Sequence, residues 1–180
     1  MRVSREAARE SKARIVEAAA AMLRERGLDG ASIADVMAAA GMTHGGFYKH
    51  FESKDQLVAE AFADAVQEML GRMEAAPTIV AAVAGYLSAQ HKDNPASGCP
   101  LSAIGSELAR ADAKTRDAAT AGFERLVDLL AAKSRGKGAR RRALVAASTL
   151  IGALTMARVV SDPKLSAEIL SEVEKGLTEG

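Results

Sequence analysis

The sequence predicts an all-α protein: an N-terminal three-helix unit with a tight helix-turn-helix, then a larger helical domain, about nine helices together. Three observations carry this. Alanine and leucine dominate segments poor in β-branched residues, and such segments lose little side-chain freedom in a helix. Only 4 prolines interrupt the 180 residues. Apolar residues recur at three- and four-residue spacing between capping residues and glycines.

A first helix is expected over residues 4–26. Ser4 is its N-cap, Glu6 lies in its first turn, and Ile15, Ala19, Met22 and Leu23 form its apolar face. Gly27 suits the left-handed position after a helix. A second helix opens at Ser32, which pairs with Asp35 as a capping box and leads to buried Ile33, Val36, Met37 and Ala40. Gly41 closes the turn that follows, where positive φ is needed. Thr43 is expected to cap a third helix through Phe51, with Phe47 and Phe51 on one core face.

Ser53 caps a fourth helix to about Met73, with Leu57, Ala61, Val66 and Leu70 inward. Thr78 opens a fifth that ends near His91, and residues 92–98 read as a loop. Pro100 starts a short helix to Ala111. Asp112 caps the next, to about Lys133, with Phe123, Leu126, Val127, Leu129 and Leu130 inside. A basic connection leads into residues 139–160, the most apolar helix, and Asp162-Pro163 opens the last, ending near Leu177.

Composition narrows the function classes. The net charge is only +1, so nucleic-acid binding has to come from a local patch. The first fifteen residues carry charges of both signs and no signal-peptide core, and no apolar run reads as free of charge for long enough to cross a bilayer. A cytoplasmic location with no membrane partner is expected. One cysteine excludes an intrachain disulfide and a cysteine-rich metal site. No carboxylate pair, metal-spaced histidine cluster or nucleophile–base pair is apparent, so neither enzyme activity, cofactor nor metal is expected.

Residues 32–51 carry the functional signal. Gly45 and Gly46 stand side by side in a short helix, and each costs about 1 kcal/mol relative to alanine in a helix interior. That cost points to close approach of the backbone to a partner, and the surrounding His44, Tyr48, Lys49 and His50 point to DNA. A recognition helix presents its N-terminal residues to base edges. His44 and Lys49 can donate to bases or phosphates, while Ser32, Thr43, Tyr48 and His50 can hydrogen-bond phosphates. Lys54 adds charge beside a helix N-terminus. Arg2, Arg5, Arg9, Lys12 and Arg14 read either as a DNA-touching arm or as a solvated helix face.

The segment from Lys12 to Leu57 resembles the DNA-binding domain of TetR-family transcriptional repressors, through S-I-A-D-V-M-A-A-A-G, F-Y-K-H-F and S-K-D-Q-L in order. Met37 departs from the alanine common at its place. The resemblance implies that Tyr48, His50 and Lys54 contact the DNA backbone and that His44 and Gly45 approach bases. It implies a DNA-binding domain over residues 1–53 and a ligand-binding and dimerisation domain over 54–180. It also implies a homodimer on a palindromic double-stranded operator, since one short reader covers too few base pairs.

The dimer surface is expected on the last two helices, at Ala146, Ala147, Leu150, Leu154, Ala157, Leu165 and Leu170. The resemblance also implies a small-molecule effector between the fourth helix and those after it, with Met69, Met73, Tyr86, His91, Phe123 and Met156 as lining candidates or plain core. Cys99, in S-G-C-P-L at a helix start, reads either as a reactive sensor thiol or as a small core residue. The rival function is an all-helical redox or ligand-binding protein that uses Cys99 without DNA. The basic run Lys133, Arg135, Lys137, Arg140, Arg141 and Arg142 reads as a solvated connection.

Overall fold

Helix α1 spans Arg5–Arg26 and α2 Ile33–Ala39 in the computed structural model, which describes residues 5–134 and 136–179. Ser4 and Arg135 lie outside the described residues. Gly27 ends α1 at φ +83°, with its N–H on the Leu23 carbonyl at 3.0 Å. Ser32 and Asp35 form the expected capping box. Gly41 takes φ +70° at the turn.

The expected third α-helix is instead a 3-10 helix, His44–Lys49. The Gly46 N–H reaches the Thr43 carbonyl at 3.0 Å, a spacing of three residues, and the Thr43 side chain caps nothing. Two adjacent glycines weaken α-helix formation, and the tighter winding still brings Phe47 and Phe51 into the core.

Helix α3 (Lys54–Ala75) begins at Ser53, whose hydroxyl accepts the Gln56 N–H, and it joins two cores. Its first half buries Leu57, Val58, Ala61 and Ala65 with Ile15, Ala19, Leu23, Val36, Met37, Phe47 and Phe51. Its second half buries Phe62, Val66, Met69, Leu70 and Met73 among the later helices. Helix α7 (Ala113–Ala132) lies so close to α3 that a Cβ on Gly122 would sit 2.8 Å from Val66 Cγ2.

The expected fifth helix is broken into α4 (Ile79–Tyr86) and α5 (Ala89–Asp93). Ser88 causes the break: its hydroxyl donates to the Gly85 carbonyl at 2.8 Å and accepts the His91 N–H at 3.1 Å, so it caps α5 rather than continuing α4. The expected loop is largely a 3-10 turn, Pro95–Ser97. Helix α6 (Pro100–Leu108) is kinked at Ile104 and ends before Ala111.

Helix α8 (Ala139–Val159) packs between α7 and α9 (Pro163–Thr178) and buries Ala143, Ala147, Leu150, Ala153, Leu154 and Ala157. Contrary to the sequence expectation, α8 is long and apolar enough to cross a bilayer by length and composition. Its contribution to the chain's own core accounts for only part of that apolarity, since Leu144, Val145, Met156 and Val159 are exposed.

Candidate nucleic-acid interface and effector cavity

The 3-10 segment is anchored from inside. Phe47 and Phe51 stack at 5.4 Å between centroids, and Lys12 Nζ lies 5.1 Å from the Phe51 centroid. This fixes the opposite face outward. Tyr48 is 70% exposed and touches Phe47 only edge-on. Thr43, His44, Gly45 and Lys49 are exposed, while Gly46, His50 and Lys54 are half-buried. A Cβ on Gly45 would meet nothing within 4 Å, and Gly45 does not take positive φ. Neither internal packing nor backbone geometry therefore calls for glycine there. Gly46 differs, because a Cβ would reach Met37 Cε at 3.5 Å. The unusual Met37 is wholly buried and fills the space beside that glycine.

Two expected DNA contacts are already engaged within the chain. The Ser32 hydroxyl donates to Asp35 Oδ2 at 2.6 Å and accepts the Asp35 N–H at 3.1 Å, so its proton is committed to the cap. That bond holds the Asp35 carboxyl below its usual range. Lys12 pairs with Glu60 at 2.7 Å and is not a free arm residue. Arg5, Arg9 and Arg14 are exposed along α1, and Arg2 lies outside the described residues. In the basic connection, Arg140 pairs with Asp128 at 3.1 Å and Arg142 donates to the Lys137 carbonyl.

A cavity of about 490 Å³ opens between α3, α4, α5 and the 3-10 turn. Met69, Met73, Tyr86 and His91 line it, together with Arg72, Gln90, Asn94 and Ser97. Phe123 and Met156 do not: Phe123 packs half-buried against the core, and Met156 is exposed on α8. A wider cleft lies between α1 and α3, bordered by Lys12, Arg24, Glu60 and Glu68.

His91 ties the end of α4 to the start of α6 at the cavity wall. Its Nε2 accepts the Cys99 N–H at 2.8 Å. Its Nδ1, facing the Tyr86 carbonyl at 2.7 Å, must therefore carry the proton. Burial pushes the imidazole down to about 4; the Tyr86 carbonyl opposes this, and Arg158, Arg72 and Arg24 add to it. A Cβ on Gly98 would lie 2.7 Å from His91 Nε2, so only glycine fits beside the ring. Arg158 closes the same corner, donating to the carbonyls of His91 and Lys92 and to the Ser102 hydroxyl.

Cys99 is 0% exposed, in the core beside Tyr86, and it stands at the N-cap of α6 without a side-chain cap bond. The Tyr86 hydroxyl is buried with no hydrogen-bond partner of good geometry. Burial, followed by the neighbouring Cys99, pushes that phenol well above its ordinary range. Of the two readings of Cys99, its full burial suits the small core residue, while its backbone bond to His91 places it beside the cavity wall.

The expected dimer residues lie mostly inside the single chain. Ala147, Leu150, Leu154, Ala157 and Leu170 are consumed by the chain's own core, and Ala146 is half-buried against it. Leu165 is exposed, in company the sequence reading missed: Leu144, Val145, Met156 and Val159. An i, i+3, i+4 pattern finds apolar residues but does not say which side of an all-round apolar helix turns inward.

Polar links between the two cores were also missed, because their partners are distant in sequence. Arg24, buried in α1, donates to Glu68 at 3.0 Å and to the Gly98 carbonyl at 3.3 Å. Glu107 of α6 accepts the Leu28 N–H at 2.7 Å.

Comparisons with known proteins agree with this arrangement. Residues 15–61 match the bacterial regulatory proteins of the tetR family, and residues 73–173 match the C-terminal domain of LmrA/YxaF-like transcriptional regulators. An uncharacterized HTH-type transcriptional regulator of Mycobacterium tuberculosis is 31% identical over 164 residues, covering 83% of this chain and 84% of its own. The HTH-type transcriptional repressor KstR2 of Mycolicibacterium smegmatis is 35% identical over 60 residues, 33% of this chain and 29% of that one. A TetR-family regulator from Cytophaga hutchinsonii, at 19% identity, superposes with a TM-score of 0.78 over 99% of this chain and 98% of its own, which shows a shared fold.

Proposed function

The chain belongs to the TetR family of DNA-binding transcriptional regulators, a non-enzymatic family, and from that premise we propose a homodimeric repressor released from its operator by a small molecule. The observation that carries the DNA-reading surface is Gly45. It faces open space beside exposed His44, Tyr48 and Lys49, on a segment pinned from behind by Phe47 and Phe51. In this reading Tyr48, His50, Thr43 and Lys54 hold phosphates, while His44, Gly45 and Lys49 meet base edges. Residues 1–53 read the DNA and residues 54–180 bind effector and partner, with α3 as the lever between them.

Two-fold pairing doubles the reader onto a palindrome. The exposed apolar residues Leu144, Val145, Met156 and Val159 of α8, with Leu165 of α9, support pairing through those helices. The location is the cytoplasm, where the operator is. The effector site is the cavity between α3, α4 and α5, whose volume suits a small organic molecule.

Modification of Cys99 is a second reading of the release step, favoured by its backbone bond to the cavity residue His91. The full burial of its thiol weighs for the small molecule. If Cys99→Ser releases DNA like the parent under an aldehyde, quinone or peroxide, this second reading fails.

A gel shift with DNA upstream of the protein's own gene tests the main reading. Specific binding that weakens with salt and is lost in Tyr48→Ala is the expected result. Failure to discriminate any duplex at moderate salt overturns it.

A further inference from the structure

Among the residues lining the effector cavity, Arg72 is the one that carries a charge, since His91 is neutral. The apolar wall comes from Met69, Met73, Ala81 and Ala82. A pocket with greasy walls and a single fixed cation selects a molecule with an apolar body and one anionic end. The surroundings strengthen this. Arg24, Arg72 and Arg158 all lie near enough to His91 to disfavour its charging. Glu68 is the carboxylate that answers two of those three arginines.

That carboxylate is divided. Glu68 Oε1 takes Arg72 at 2.7 Å, and Oε2 takes Arg24 at 3.0 Å. The same two arginines also share the backbone of the cavity rim: Arg72 donates to the Ser97 carbonyl at 2.5 Å and Arg24 to the Gly98 carbonyl at 3.3 Å. Arg72 belongs to the cavity wall, and Arg24 to the helix that carries the DNA-reading unit. The circuit is incompletely satisfied, because Arg24 Nε is buried without a partner. A buried guanidinium in that condition is sensitive to any change in its counter-charge.

Resting on the effector reading above, we propose that the cavity takes an amphipathic carboxylate whose anionic end engages Arg72, and that Glu68 passes this event to Arg24 and so to α1. An anion on Arg72 competes with Glu68 and with the Ser97 carbonyl for the same guanidinium. Glu68 and the Ser97–Gly98 rim then move, and Arg24 loses the geometry that docks α1 on the cavity wall. Ligand and DNA each favour one arrangement of this circuit, so their affinities are reciprocally coupled.

The test uses the full chain and titration calorimetry with octanoate, decanoate and naphthoate, each beside its uncharged primary amide. At least one carboxylate should bind, and bind about tenfold or more tightly than its amide. In Arg72→Met, with thermal melting as a check on folding, that preference should fall to about twofold or less. Equal affinity for acid and amide, no binding by any of the three acids, or an unchanged preference in Arg72→Met overturns the anion site.

Glu68→Gln tests the relay. The carboxylate should still bind this variant, but its effect on operator affinity, about tenfold in the parent, should fall to about twofold. Full coupling in Glu68→Gln overturns the relay. Absence of operator binding by the unliganded parent overturns the functional reading instead, and the calorimetry still decides the anion site.

Discussion

Nε2 of His91 accepts the backbone N–H of Cys99 at 2.8 Å, a bond that exists only while the imidazole is neutral. Protonation would turn that acceptor into a donor facing a donor, with Arg158, Arg72 and Arg24 nearby. The folded chain takes up this proton near 4, against 6.5 for a free histidine, chiefly because of burial. The unfolded chain therefore binds the proton first. The stabilising contribution is complete above pH 6.5 and is lost as pH falls through the window to 4. Between pH 7 and 4.5 the parent should lose about 2 kcal/mol more unfolding free energy than His91→Gln, measured by urea titration. Parallel losses in the two proteins would show that His91 does not titrate in this way.

At Gly122, α7 lies tightly against Val66 of α3. An added Cβ would meet Val66 Cγ2 at 2.8 Å and Cγ1 at 3.2 Å, on a β-branched side chain with little freedom to turn away. Gly122→Ala should therefore destabilise the fold by about 1–3 kcal/mol, although alanine is the better helix former. A rise in Tm would mean that the two helices separate at little cost.

The exposed stripe on α8 gives a third expectation. Val145→Asp combined with Val159→Asp alters residues that are 59% and 68% exposed in the single chain. The helical circular-dichroism signal should persist while light scattering reports a monomer at micromolar concentration. Operator affinity should fall by about a hundredfold or more through loss of the second reader. A dimer that survives both charges would move the interface elsewhere.

Local features were legible in the sequence, and distant ones were not. The Ser32–Asp35 box, the Gly27 and Gly41 turns, and the Ser53 and Asp112 caps each depend on a few adjacent residues, and all appear as expected. A short helix was expected after Thr43 and is present, but its 3-10 winding depends also on how Phe47 and Phe51 seat in a core built by α1 and α3. The inner and outer faces of α8 could not be told apart, because Ala147 and Leu150 differ from Val145 and Val159 in surroundings rather than in apolar character. Met69, Met73, Tyr86 and His91 do meet at one cavity, yet its charged member, Arg72, looked like an ordinary surface arginine on an amphipathic helix. Arg24 and Gly98 are 74 residues apart, and no periodicity connects them.

Gly45 lacks a side chain although, among the described residues, nothing lies within 4 Å of where one would begin. Gly45→Gln tests the DNA-reading surface most directly, because the new side chain enters open space at an unstrained φ. Thermal melting should show a Tm equal to or above the parent's, since glycine disfavours helical winding. Fluorescence anisotropy with a duplex selected from a random pool should show specific affinity reduced about tenfold or more, because the backbone no longer reaches the groove. Parental affinity and sequence preference in Gly45→Gln would contradict the assignment of residues 44–50 as the DNA-reading surface.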